Sequence, residues 1–376
     1  MKVKKYFEIK DLKAQFPDSR YYFIIGGRST GKTYSVMKES IEDAIDGKGN
    51  FAYLRRYKES IKEKDMQDLL TVHNAMIFEK TGGKYNRIVY YRGKWWLENF
   101  DYDSHKRVYR SESPIGYAFA INRYETDKGA DRGVFKNIIL DEALSKSGDY
   151  LKDEFSMFQN VVSTLVRDRT DIDTKIYLLA NPVSKYSGDY FKMLGITNKM
   201  VDGDKGGIYL IKYPETEMTT VFCYMVNGNI VQDNNSVYET YFAFPNSKTK
   251  SKSITSGIFE LDESARLPSK VWNHCIELHN VKIYFDGRIF KCQVMKDEIE
   301  NMYFLHYSPS KEIKPKEYYL TTDIIYDKYA IILPRAIKHP MYQVLLQIAS
   351  TGQVYYSDNE TADLIHAFRA AILRNR

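Results

Sequence analysis

The sequence predicts an α/β protein with a mostly parallel sheet, followed by a small α+β domain. Three observations predict it. Tyr21–Ile25, Phe51–Leu54, Tyr117–Ile121, Ile138–Leu140 and Ile176–Ala180 are compact apolar runs, each followed by polar residues. Strands apolar on both faces belong to a sheet covered on both sides. Helical stretches alternate with these runs, the first from Lys32 to about Asp46, where Gly47 stops it. Beyond Pro214 the character changes, and short strands return only after Val271.

Taken in order, Phe51–Leu54 closes on Arg55–Arg56, and hairpin-like material follows from Met76 to Leu97, with turns at Gly82–Gly83 and Arg92–Gly93. Residues 1–214 are therefore expected to form one domain. Residues 215–268 are polar and mixed, and Asn246–Ser253 (NSKTKSKS) has lysines and no acid; this stretch is expected to be a linker or lid. Residues 269–376 are expected to form the second domain. Its strands are Cys275–Leu278, Val281–Phe285, Ile289–Val294, Met302–Tyr307 and Tyr318–Thr322, with a hairpin turn at Asp286–Gly287. An amphipathic helix closes it, carrying Leu364, Ile365, Phe368, Ala371 and Ile372 on one side.

Composition sets bounds. The 376 residues carry 55 Lys+Arg against 49 Asp+Glu, a net charge of +6, which excludes a polycation but leaves a local basic patch open. Aromatic residues make up 14%, a content suited to a sheet core and to interfaces. Cys223, Cys275 and Cys292 are odd in number and widely spaced, so neither a disulfide framework nor a CxxC metal pair is expected, and a reducing compartment is. There is no HExxH or HxH spacing, so no zinc site is expected. The charged start and the absence of a long apolar run lead to the expectation of a soluble intracellular protein.

The chemistry is carried by a few motifs. Gly26-Gly27-Arg28-Ser29-Thr30-Gly31-Lys32-Thr33 fits G-x-x-x-x-G-K-[ST] between a strand and a helix. Glycines let a loop wrap a phosphate chain, the helix N-terminus adds its dipole, Lys32 would reach the β/γ-phosphates and the Thr33 hydroxyl would hold Mg²⁺. ATP and Mg²⁺ are the expected ligands. Ile138–Glu142 is an apolar strand ending in two acids. Asp141 is expected to organise the metal, and Glu142 to activate a water for attack on the γ-phosphate. Ile176–Asn181 delivers Asn181 to the same edge as a sensor of that phosphate, with an Asn181–Pro182 turn as the plainer alternative. Arg167 and Arg169, just upstream, are candidates for an arginine finger inserted into a neighbouring subunit. Basic clusters at Arg55, Arg56 and Lys58, at Arg87, Arg92 and Lys94, and at Lys248–Lys252 are candidates for gripping DNA; the hairpin group is interleaved with Tyr85, Tyr90, Tyr91, Trp95 and Trp96.

This order of motifs resembles the phi-29-type DNA-encapsidation ATPases of small tailed phages. The segment Phe51–Lys58 (FAYLRRYK), the run Val166–Arg169 and the Thr321–Asp323 region are similar to that family as well. The resemblance implies an ASCE-type P-loop ATPase domain and a C-terminal vestigial nuclease of ribonuclease-H-like fold. It implies a homomeric ring, a pentamer, on the portal vertex of a prohead, pumping double-stranded DNA by ATP hydrolysis, in some members with a packaging RNA. It places the trans-acting finger at Arg167 and implicates, for nucleotide binding, a lysine upstream of the Ile138–Leu140 strand that falls on Lys128. It implies a protein of the host cytoplasm that visits the portal vertex and is absent from the mature virion. Alternatives are a terminase-like motor whose nuclease still cuts through Asp286, Asp323 and Asp358, a P-loop kinase, and a nucleotide-gated structural ring.

Overall fold

The computed structural model describes residues 5–123, 133–145, 150–166, 173–183, 189–201, 206–226, 230–231, 267, 272–351 and 353–374. Arg167, Arg169, Lys128 and the Lys248–Lys252 cluster lie outside them. Two compact units are present, the first built almost wholly from the chain before residue 259 and the second from the remainder.

The first unit runs α1 (Ile9–Gln15), β1 (Tyr21–Gly26), α2 (Lys32–Ile45), β2 (Asn50–Arg55), α3 (Glu63–Thr71), α4 (Asn74–Lys80), β3 (Arg87–Tyr91), β4 (Lys94–Asp101), β5 (Lys106–Arg110) and β6 (Gly116–Ala120). It continues with β7 (Phe135–Asp141), α5 (Glu154–Val166), β8 (Lys175–Ala180), α6 (Tyr190–Met193), α7 (Asn198–Val201), β9 (Gly207–Lys212) and β10 (Thr219–Met225). These strands make one sheet in the order β3-β4-β6-β2-β7-β8-β1-β10-β9, with β5 beside β4. Its centre, from β6 to β10, is parallel throughout. Antiparallel strands flank it on both sides.

The all-apolar strands behave as their composition requires. In β1, Tyr22 and Ile24 join Val36, Met37 and Ile41 of α2 in one core. Phe23, pointing the other way, packs its ring against Tyr190, Phe191 and Phe222. Phe158 of α5 reaches the same aromatic layer through Tyr190. Much of the aromatic content of this unit is thus sheet core.

Two expectations need correction. The boundary at Pro214 falls inside this sheet, because β10 pairs with the whole of β1, from Tyr21↔Thr220 to Gly26↔Met225. The stretch expected to be a linker therefore begins with a central strand of the first unit. The hairpin does not start at Met76: Asn74–Lys80 is helical, and the strands are β3 and β4.

The second unit contains β11 (Cys275–Phe285), β12 (Arg288–Asp297), β13 (Met302–Ser310), β14 (Tyr319–Thr321), β15 (Ala330–Ile332), α8 (Pro340–Thr351), β16 (Gln353–Tyr356) and α9 (Asn359–Arg374). Cys275–Leu278 and Val281–Phe285, read as two strands, are one strand with a bulge between Glu277 and His279. The sheet order is β15-β14-β11-β12-β13-β16. An antiparallel meander, β11 to β13, is extended by parallel pairings on both sides. Leu364, Ile365, Phe368 and Ile372 of α9 lie in its core, as the amphipathic pattern predicts. Among the described residues no helix is long and apolar enough to cross a membrane.

Candidate active site

Parallel pairing brings the C-terminal ends of β2, β7, β8 and β1 to one edge. Ile25 lies beside Ala180, Leu179 beside Asp141, and Leu140 beside Leu54. Loops leaving that edge are where an open α/β sheet builds its binding crevice. Because β8 stands between β1 and β7, Asn181 follows a strand flanked by the glycine-rich loop on one side and the Asp141–Glu142 tip on the other.

The loop is shaped by its small residues. Gly31 sits at φ +91° as the residue before α2, a conformation that costs a side-chain-bearing residue energy and that glycine adopts freely. A Cβ on Gly26 would come within 2.7 Å of the Met225 methyl and 3.2 Å of its Cβ, so a larger residue here would require the Met225 side chain to shift. Ser29 also adopts a positive φ, +60°. The Thr30 hydroxyl donates to the Gly27 carbonyl at 3.0 Å. From the other side the Phe7 amide donates to the Thr30 carbonyl at 2.9 Å, and the half-exposed ring of Tyr6 belongs to the same strap.

Lys32 is buried inside this loop. Its ammonium donates to the carbonyls of Gly26 and Gly27 at 2.9 and 3.0 Å and to Asn181 Oδ1 at 2.8 Å. Burial pushes its pKa down to about 8, against the pull of Asp141 and with a further push from the cation of Arg28. Two cations meeting at a glycine-rich turn before a helix form a donor set suited to a polyanion such as a triphosphate.

At the β7 tip, Asp141 Oδ2 accepts from the Tyr53 hydroxyl at 2.8 Å, and Oδ1 accepts from the Glu142 amide at 3.0 Å. A carboxylate oriented by a hydroxyl and an amide, with the Thr33 hydroxyl in the first turn of α2, is the oxygen chemistry that a hard divalent cation accepts, so these residues fit Mg²⁺. Glu142 takes a left-handed backbone, φ +58°, uncommon for a residue with a side chain. Its side chain is 59% exposed, and its Oε2 accepts from Arg55 at 2.6 Å.

Arg55 and Arg56, expected to grip DNA, are turned inward instead. Arg55 lies against Glu142 and 3.8 Å from Asp141 Oδ2. Arg56 is buried, forks onto Glu154 through Nε and Nη2 at 2.6 and 2.9 Å, and donates to the Ala143 carbonyl at 2.9 Å. The two adjacent arginines hold the Asp141–Ala143 turn, one by its carboxylates and the other by its carbonyl, and the assignment of Arg56 to DNA is withdrawn. Burial and pairing, which decide this, leave no trace in a run of like charges.

Lys58, Arg92 and Lys94 are exposed. Of the interleaved aromatics, Trp95 and Tyr90 are core residues and Tyr91 is exposed. In the second unit, Asp323 is pushed upward by burial and by Asp286 nearby. Asp358 caps α9, accepting from the Thr361 amide at 2.7 Å and its hydroxyl at 3.0 Å. The sequence reading missed Tyr53 and the positioning role of Arg55; their place at the end of the strand beside β7 is a signal only once strand order is known.

Fold and motif together define an α/β unit of P-loop type, with a paired Asp–Glu tip and an interposed strand carrying Asn181. No protein-family model matches the chain. The DNA packaging protein of Bacillus phage B103 is 24% identical over 201 residues, which are 52% of this chain and 54% of that one. The chain thus spans about half the length of the curated relative it matches. Two solved structures match over nearly the whole chain. The Phi-28 gp11 DNA packaging motor has a TM-score of 0.55 at 16% identity, covering 98% of each chain. The bacteriophage Phi-29 viral genome packaging motor assembly has a TM-score of 0.57 at 14% identity, covering 98% of this chain and 99% of that one. The chain shares the fold of these two structures.

Proposed function

We propose that this protein is an ATP-driven motor that packages viral DNA, hydrolysing ATP at the β1–β8–β7 edge and moving double-stranded DNA into a preformed prohead. The observation that carries the reading is the convergence there of Lys32, Asn181, Asp141 and Glu142. A second carboxylate directly beyond the metal-side acid suits a hydrolase, in which it orients and deprotonates the attacking water.

Lys32 and the loop amides bind the triphosphate, and Asn181, hydrogen-bonded to Lys32, senses the γ-phosphate. Glu142 takes a proton from the attacking water, whose oxygen bonds to the γ-phosphorus as the bond to ADP breaks, giving ADP and inorganic phosphate. Mg²⁺, held by Thr33 and Asp141, would neutralise charge on the phosphates. Tyr6 offers a half-exposed ring beside the loop for the base.

The finer reading is a phi-29-type motor: a homomeric ring, a pentamer, at the portal vertex, with Arg167 acting in trans and Lys128 contributing to nucleotide binding. A packaging RNA and a cytoplasmic life ending before the mature virion belong to the same reading. For the second unit we propose a ribonuclease-H-like, vestigial nuclease domain. An antiparallel meander extended by parallel strands beside its first strand supports the fold, and the use of Asp358 as a helix cap supports the loss of cutting. The deciding experiment measures ATP turnover with and without double-stranded DNA and matching proheads. Stimulation by both is expected, with Glu142→Gln slowing turnover about 10²-fold or more while nucleotide still binds. Turnover indifferent to DNA and proheads would overturn the packaging reading.

A further inference from the structure

The ribbon β3–β4–β5 has one face in the core and one face outward. Ile88, Tyr90, Trp95 and Leu97 take the inner face. Register places Arg87 and Arg110 opposite Glu98 from either side, Tyr91 opposite Lys94 and Arg107 opposite Phe100, all on the outer face. Glu98 is the unusual member: its side chain is 2% exposed, on a face otherwise open to water.

Its two oxygens are shared among three arginines. Arg87 donates through Nε and Nη2 to Oε2 at 3.0 and 2.7 Å. Arg110 lies on Oε1 through Nε at 2.7 Å and Nη2 at 2.6 Å. Arg107 Nη1 stands 3.7 Å from the same oxygen. Against the upward push of burial, the hydrogen bonds from Arg87 and Arg110 hold the Glu98 carboxyl below the usual range, so it stays an anion. Three cations on one anion leave net positive charge. Glu98 engages two nitrogens of Arg87 and two of Arg110, which holds both guanidinium groups while leaving them 26% and 28% exposed; Arg107 is 52% exposed.

Guanidinium groups lie over rings of this face, although Tyr91 stays half-exposed. The Arg87 guanidinium lies 3.6 Å from the Phe100 ring centre, and that of Arg110 lies 5.5 Å from Trp96 and 6.0 Å from Tyr91. Arg92 also lies over Tyr91, at 5.1 Å. A base seeking a stacking platform meets guanidinium groups, whereas a phosphate meets N–H donors in the fork geometry it binds best. The arrangement fits a duplex, whose bases are hidden and whose phosphates are outside, better than a single strand.

We propose that this outer face docks the phosphate backbone of double-stranded DNA, with Glu98 organising Arg87, Arg107 and Arg110 to receive it. The inference rests on the DNA-translocation reading and names the surface that reading leaves open. It extends the contact from Arg87, Arg92 and Lys94 to Arg107 and Arg110, which only strand pairing gathers with Arg87 around Glu98.

The test is fluorescence anisotropy of the full chain with a labelled random-sequence DNA duplex and with a single strand of equal length, over a salt series. Arg107→Ala combined with Arg110→Lys should weaken duplex binding about three- to tenfold and make the salt slope shallower by about one, since one cation is removed. Arg107→Ala alone, at an exposed position, should give a smaller loss of the same kind with an unchanged melting temperature. Glu98→Gln is the sharper probe. Added charge alone would tighten binding, whereas loss of the organising anion should weaken it. Wild-type affinity and slope in the double variant, tighter binding by Glu98→Gln, or a wild-type preference for the single strand would each overturn the proposal. If the wild-type chain binds duplex and its turnover responds to DNA while the variants behave like it, the surface is wrong and the motor reading stands. Turnover indifferent to DNA would sink the motor reading itself.

Discussion

Arg55 donates to the Glu142 carboxylate at 2.6 Å while its other terminal nitrogen stands 3.8 Å from Asp141. One guanidinium therefore spans the proposed water-activating carboxylate and the metal-side carboxylate, from the end of the strand beside them. Glu142, exposed and on a left-handed backbone, owes its orientation to this contact.

Removing that contact should affect the chemical step more than binding. Arg55→Ala is expected to lower kcat about ten- to a hundredfold, with nucleotide Kd changed less than about threefold. Arg55→Lys should recover part of the rate, since it keeps the charge without the span. Steady-state turnover together with equilibrium nucleotide binding checks this. Equal losses in both would mean that Arg55 only stabilises the fold.

Lys32 makes nucleotide binding pH-dependent. Its folded pKa, about 8, lies below the ordinary 10.5 because burial disfavours the cation. The unfolded chain then holds the extra proton between these values, so this group's contribution to stability improves as pH rises from about 8 to 10.5. A triphosphate prefers the charged lysine. Affinity should be flat below about pH 8 and fall above it by up to about tenfold per pH unit. Anisotropy of a labelled ATP analogue on both sides of that pH reads it out, and Lys32→Gln should bind weakly with a flat profile.

The Tyr53 hydroxyl orients Asp141 from a fully buried position. Tyr53→Phe should raise the Mg²⁺ concentration for half-maximal turnover about tenfold, as loss of outer-shell support does at metal sites. Its cost to stability should be about 1 kcal/mol. A Mg²⁺ titration of turnover unchanged from wild type would show that this hydroxyl matters only for folding.

Glu154 gathers Arg56, the Tyr190 hydroxyl at 2.7 Å and the Leu151 amide at 2.9 Å in the interior. Glu154→Ala leaves the Arg56 cation buried without its anion, so urea unfolding should show a loss of about 3–5 kcal/mol. Arg56→Ala should lose a comparable amount.

The site was legible where chemistry is local. The loop Gly26–Thr33, the Asp141–Glu142 tip and Asn181 are each continuous along the chain, and each follows an apolar strand that a period-free hydrophobic run announces. The same logic failed at Thr219–Met225. That stretch (TTVFCYM) is rich in β-branched and aromatic residues and reads as a strand by itself. The polar residues on either side drew it into a linker. It failed again at Arg55–Arg56, where two adjacent cations look like a solvent-facing patch and are in fact absorbed by acids 87 and 98 positions downstream.

By itself, then, the sequence determined the class of fold, the order of buried strands along the chain, and the residues we propose to meet phosphate and water, because propensity, patterning and loop chemistry act over a few neighbours. Tertiary structure alone decided which strands lie side by side, that β8 stands between β1 and β7, and which charges are spent inside. Glu98 shows why. Its partners are 11 and 12 residues away on two flanking strands, and only pairing register makes a buried anion of it and a fixed array of its arginines. Coulomb and hydrogen-bond energies depend on distance and desolvation in space, and neither quantity is written along the chain.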